Sequence, residues 1–156
     1  DVGCKVISLS LGSSINYATM EYAIDYAWTK GAVVVASAGN DGVSDPHYPA
    51  YYENCIAVAA TDENDTLASF SQRGEWVDVA APGVDILSTY LPNRYNYLSG
   101  TSMACPFVSG LAGLLVSMGK SNTDVRAAIE STCDPIPGTG TDFKYGRINA
   151  AAAVAY

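Results

Sequence analysis

The sequence predicts an α/β domain built on a mainly parallel sheet flanked by helices, and three observations carry that prediction. The stretches "AVVVASAGN" (32–40) and "NCIAVAAT" (54–61) are near-continuous apolar runs rich in β-branched residues, the pattern of strands covered on both faces. A segment of helical periodicity lies between an earlier strand-like run and the first of these, which makes a βαβ unit. The composition, 49% hydrophobic and 15% charged over 156 residues, is that of one domain with a sizeable core and not of a disordered chain.

The elements follow in order. "CKVISLSLG" (4–12) reads as a short buried strand ending at a glycine. In "NYATMEYAIDYAWTKG" the apolar residues Met20, Ala23, Ile24, Ala27 and Trp28 fall on one helical face, and Gly31 is a stop signal. The 32–40 strand ends in a Gly-Asn turn, a polar loop runs from Asp41 to His47, and the 54–61 strand follows. Residues 62–74 read as a surface connection, and 75–83 and 85–90 as short strands around a Pro-Gly turn. From Ala104 to Met118 the chain is apolar nearly all round, which predicts a buried helix with Pro106 in its first turn. Ser121 and Asp124 form a loose capping box for a further helix whose apolar face is Val125, Ala128, Ile129, Thr132 and Cys133. A Pro/Gly loop, 135–140, leads to an Ala-rich helix from about Asn149.

The net charge of −8 (8 Lys+Arg against 16 Asp+Glu) argues against nucleic acid or an anionic membrane as partner. No apolar stretch is long enough to span a bilayer. Cys4, Cys55, Cys105 and Cys133 lack metal-type spacing; two disulfides and buried free thiols both remain open. The chain begins at Asp1 with no signal peptide in view, so its natural start is expected to lie elsewhere.

Four places could carry chemistry. Ser102, in "LSGTSMACPFVSG" (98–110), sits where a helix would begin. It is either a capping serine or a nucleophile whose developing anion the helix N-terminus stabilises. Asn40 closes a buried strand at the sheet's carboxyl edge; it is a turn residue or an amide donor to an oxyanion. His47, the single histidine, lies in the loop "DPHYPA" and is a solvated side chain or a base. The acidic stretch 62–65 lacks the glycine and terminal glutamate of a calcium loop and reads as a solvated turn.

Taken together, "VISLSLG", "VVVASAGN", "YPAYYENCIAVAATD", "SFSQRGEWVDVAAPG", "ILSTY" and "LSGTSMACPFVSGLAGLL", in this order and continued by "VRAAIEST…GTGT…YGRINA", resemble the C-terminal half of the subtilisin-like serine proteases, the subtilases. The likeness covers essentially residues 4–156. It implies a three-layer fold with a parallel sheet between helices, and a secreted endopeptidase acting on extended polypeptides. It gives Ser102 the role of nucleophile, and Asn40 with the Ser102 N–H the role of oxyanion hole. Ser10, Leu11 and Gly12 would pair with substrate and form one wall of the S1 pocket, with Ser37, Ala38 and Gly39 as the other. Met103 would be the oxidisable neighbour of the nucleophile, and Pro49 a cis proline. His47 would sit at the base of S1 and tune specificity. The carbonyls of Ala50, Tyr52 and Cys55 with Asp78 would form a weak site for Ca²⁺ or a monovalent ion, with no cofactor needed for catalysis.

The resemblance also implies what this stretch lacks. Subtilase triads run Asp, His, Ser along the chain, and nothing here resembles the Asp or His element. The expectation is one third of a triad, inactive alone, that works with a complementary N-terminal half in the same or a separate chain and with a propeptide as a further partner. Phe107 stands where the family usually carries histidine, and Cys105 where Ser or Thr is common. Phe107 is the one hint of an alternative, a non-catalytic peptide-binding module; a second, a structural subunit of a larger assembly, is suggested only by the short chain.

Overall fold

The computed structural model describes residues 3–156. The described residues form seven strands and four helices: β1 (Val6–Leu9), α1 (Ala18–Thr29), β2 (Val33–Ser37), β3 (Ile56–Thr61), β4 (Val79–Pro82), β5 (Ile86–Tyr90), β6 (Arg94–Leu98), α2 (Thr101–Ser117), α3 (Asn122–Ser131), β7 (Gly146–Arg147) and α4 (Ala150–Ala155). Five strands form one sheet in the order β1-β2-β3-β4-β7, every pair parallel. β5 and β6 form a separate antiparallel hairpin.

The apolar runs act as their composition requires. Every residue of β2 and β3 is buried, because helices cover both faces of the sheet. Side chains alternate along a strand, so the core divides in two. Val33, Val35, Ile56 and Val58 face α2, α3 and α4 through Val108, Leu115, Ile129 and Ala153. Val34, Ala36, Ala57 and Ala59 point to the other layer, where Ile24 of α1 packs with Val77 and Phe143.

Three expectations need correction. The first strand is only half-buried and stands at the edge of the sheet among the described residues. Ala23 lies on the exposed side of α1, while Ile24, Met20, Ala27 and Trp28 turn inward. The long apolar helix starts at Thr101, so Pro106 is interior to it. That helix is also bare along one side: Phe107 is 45% and Leu114 48% exposed, whereas Ala104, Cys105, Val108, Ala112 and Leu115 are buried. The Ser121 cap holds, its hydroxyl accepting the Asp124 N–H at 3.2 Å. Asn149, the expected start of the last helix, caps α4 by accepting the Ala152 N–H at 2.9 Å.

All four cysteines are free thiols. The acidic stretch is a turn in which the Asp62 carboxylate accepts from Asn64 N–H and Thr66 N–H, both 2.9 Å. Its neighbour Asp65 pairs with Arg147 at 2.7 Å. No helix among the described residues is long and apolar enough to cross a membrane.

Candidate active site

The carboxyl ends of the adjacent strands β1 and β2 meet the N-terminus of α2, the edge where open α/β sheets place ligands. Ser102 is the second residue of α2. The helix is capped by Gly100 with no side-chain hydrogen bond, which removes the capping reading of Ser102. Met103 N–H and Ala104 N–H both turn back to the Gly100 carbonyl, while the Ser102 N–H and hydroxyl take no partner in the described residues. An unpaired N–H at a helix start is a donor aimed at incoming negative charge.

Asn40 is held opposite. Its Oδ1 accepts from Thr101 N–H at 2.9 Å and from Thr101 Oγ1 at 3.0 Å. Both donors engage the oxygen, so the amide orientation is fixed and Nδ2 is left to donate outward. The same Thr101 hydroxyl accepts the Gly39 N–H at 3.2 Å. Thr101 is fully buried and ties the end of β2 to the start of α2. Both ends of the Asn40 amide and the Ser102 N lie 3.7 Å from the point where a Gly100 Cβ would stand, so Asn40 and the Ser102 N–H both sit beside Gly100.

Glycines and a buried glutamine set this geometry. Gly39 has φ +113°, and a Cβ there would meet Gln72 Oε1 at 2.7 Å; both demand glycine. Gln72 N–H donates to Gly39 O (3.0 Å), and its side chain accepts from Asp41 N–H (2.9 Å). Gly100 N–H donates to Gly83 O at 2.8 Å, which anchors the turn before Ser102.

Pro106 explains another contact. Lacking an N–H, it cannot donate to the carbonyl four residues back, that of Ser102. The Ser10 hydroxyl does so instead, at 2.8 Å. Ser10, Leu11 and Gly12 are exposed beyond β1, and Ser37, Ala38 and Gly39 leave the neighbouring strand buried. Half-buried Met103, next to Ser102, lines a separate cavity with Ile86, Leu87, Ser88, Pro106 and Phe107.

His47 is not joined to Ser102 by any hydrogen bond among the described residues. Its imidazole packs against Gly12, where a Cβ would collide with it. The loop is stitched there by Ser13 N–H to Tyr48 O (2.9 Å) and Tyr48 N–H to Ser13 O (2.8 Å). Burial lowers the His47 pKa below the usual 6.5, against the pull of Asp41, which raises it. The Tyr48–Pro49 bond is cis, as expected.

Ala50, Tyr52, Cys55 and Asp78 do line one cavity of about 260 Å³, together with Trp76, Arg126 and Lys144. Asp78, its side chain 3% exposed, binds Lys144 Nζ through Oδ1 at 3.0 Å and faces Arg126 through Oδ2 at 3.4 Å. Oδ2 also accepts the Ala57 N–H at 2.9 Å. Burial and the Asp78 carboxylate push the Cys55 thiol up, keeping it protonated.

Sequence reasoning missed the load on Thr101, Gln72 and Lys144. Thr101 had a signal, a hydroxyl between a glycine and the serine; Gln72 and Lys144 act over distances no local pattern reveals.

Comparison with known proteins agrees with this arrangement. A family model described as the subtilase family, Peptidase_S8, matches residues 1–147. The chain is 61% identical over all its 156 residues to the thermophilic serine proteinase of Bacillus sp. (strain AK1), covering 39% of that protein. It is 58% identical over the same 156 residues to thermitase of Thermoactinomyces vulgaris, covering 56% of it. With subtilisin BL of Lederbergia lenta the identity is 44% over 153 residues, 97% of this chain and 56% of the relative. The chain thus spans about half, or less, of these relatives' lengths. A parallel sheet flanked by helices, a free serine at a helix start and a match over most of its length place the chain in the subtilase family of serine proteases.

Proposed function

We propose that this chain is the C-terminal part of the catalytic domain of a secreted serine endopeptidase. Ser102 attacks the scissile carbonyl, and the resulting oxyanion lies between Asn40 Nδ2 and the Ser102 N–H. The single observation that carries this reading is the Thr101 clamp on Asn40 Oδ1. It leaves the amide N–H₂ as the only end that can face a substrate, and holds it there before charge develops, which is how preorganised donors lower a barrier.

An acceptor for the Ser102 proton comes from residues outside 1–156, since His47 packs against Gly12 and makes no hydrogen bond to Ser102 among the described residues. The 10–12 segment that follows β1 is exposed and outside the sheet's pairing among the described residues. An extended peptide can add there as a strand, its P1 side chain entering between 10–12 and 37–39. Met103, next to the nucleophile, is the site where oxidation to the sulfoxide would crowd the cleft.

The test is hydrolysis of peptide anilides by the full-length protein with Ser102→Ala and Asn40→Ala. The first should abolish turnover. The second should lower it by about 10²–10³, the magnitude established for losing this donor in subtilisin itself. Turnover unaffected by Ser102→Ala overturns the reading. A folded protein with no turnover on any peptide favours a peptide-binding module instead.

A further inference from the structure

We infer that the cavity around Asp78 is closed by the chain's own cations: the Lys144 ammonium takes the place a metal ion would hold, and this site needs none. This stands independently of whether Ser102 is a nucleophile. The resemblance predicts an oxygen-ligated cation at Ala50, Tyr52, Cys55 and Asp78. The donor chemistry does not suit one. Main-chain carbonyls can ligate such an ion but carry no net charge, so Asp78 is the only formal negative charge among the expected ligands. The one buried carboxylate in the cavity, Asp78, is already engaged at both oxygens, by Lys144 Nζ on one side and by Ala57 N–H and Arg126 on the other.

Arg126 is fixed as well. Its Nε pairs with Glu130 at 2.6 Å, and its NH1 donates to the Glu53 carbonyl, so a main-chain oxygen at the cavity rim also faces a protein cation. Glu53 lines the cavity, but its residue is exposed. A metal ion would therefore enter beside two positive charges, with Asp78 shared between them and Glu130 already paired to Arg126.

Lys144 is not a loose surface lysine that happens to lean in. Its N–H donates to Val77 O at 2.9 Å, and the next N–H, of Tyr145, donates to Asp78 O at 3.0 Å. Main-chain pairing thus sets Lys144 alongside Asp78. The Lys144 side chain is 42% exposed, so water can reach it, but its departure would leave buried Asp78 with Arg126, at 3.4 Å, as its one cationic partner among the described residues.

The test uses crystals of the full-length protein, wild type and Lys144→Met, each soaked in thallium(I) and separately in Ca²⁺. Anomalous maps should show no peak within ligand distance of Asp78 in the wild type. In Lys144→Met they should show one, matched by one additional bound ion per molecule on equilibrium dialysis. A wild-type peak at Asp78 with Lys144 displaced overturns the inference. So does a Lys144→Met protein without any peak, because a cavity that takes no ion when emptied was not one that Lys144 fills.

Discussion

Replacing Thr101 by valine keeps the shape of the side chain and removes its hydroxyl. Two bonds are lost, one to Asn40 Oδ1 and one from Gly39 N–H. The Gly39 N–H is buried, so leaving it unpaired costs about 1–3 kcal/mol of stability. Asn40 keeps its 2.9 Å bond from the Thr101 N–H, so the amide is loosened and not released. A neutral hydrogen bond is worth about 0.5–1.5 kcal/mol net, and about 1.4 kcal/mol is tenfold in rate. The predicted drop in kcat is therefore about 2- to 13-fold, well short of losing Asn40 altogether. KM should stay constant, because the oxyanion forms only on the way through the reaction. Denaturant unfolding and steady-state hydrolysis by the full-length protein measure the two effects, with Thr101→Ser as the variant that restores both. A Thr101→Val protein with unchanged kcat, or with KM rising in its place, would refute the claim that this hydroxyl orients the oxyanion donor.

Other changes follow from the same geometry. Gly39→Ala would drive a Cβ against Gln72 at a φ that L-residues avoid. It should destabilise the protein by about 1–3 kcal/mol or more, visible as a lower denaturation midpoint. Ser10→Ala orphans the Ser102 carbonyl that Pro106 leaves without an N–H; kcat should fall several-fold while the unfolding midpoint shifts by about 1 kcal/mol. His47 is held below its ordinary pKa of 6.5 by burial. The unfolded chain therefore binds the proton first, and this group's contribution to stability is full above pH 6.5 and declines as pH falls below it. His47→Asn should flatten that acid limb of the stability profile. The ratio of Glu-P1 to Phe-P1 cleavage by the wild type should rise only below pH 6.5; a ratio flat from pH 5 to 9 would remove His47 from the S1 pocket.

Much of this was legible in the sequence, for physical reasons. Strands β2 and β3 are covered on both faces and so read as unbroken apolar runs, and α3 and α4 announced themselves through Ser121 and Asn149. β6 escaped because every residue of it is exposed and it carries no burial pattern. The Leu91-Pro92-Asn93 turn before it, with Asn93 at φ +52°, was the available cue. β7 has two residues, too few for any period. The bare side of α2 could not be foreseen either. Its composition is apolar all round, and which faces find partners depends on neighbours and not on the helix. At the site, motif resemblance located Ser102 and Asn40, but their mutual orientation rests on Thr101, whose bonds reach across 61 and 62 residues of chain. The same holds for Lys144, which meets Asp78 across 66 residues.

The central claim is that Ser102 is a nucleophile beside a preformed oxyanion hole. Fluorophosphonate labelling of the full-length protein, read by mass spectrometry of the peptide bearing residues 98–110, tests it most directly. The account predicts one adduct per molecule on Ser102, absent in Ser102→Ala and formed far more slowly in Asn40→Ala. A folded, complete protein that stays unlabelled, or that carries the adduct on another serine, would contradict it.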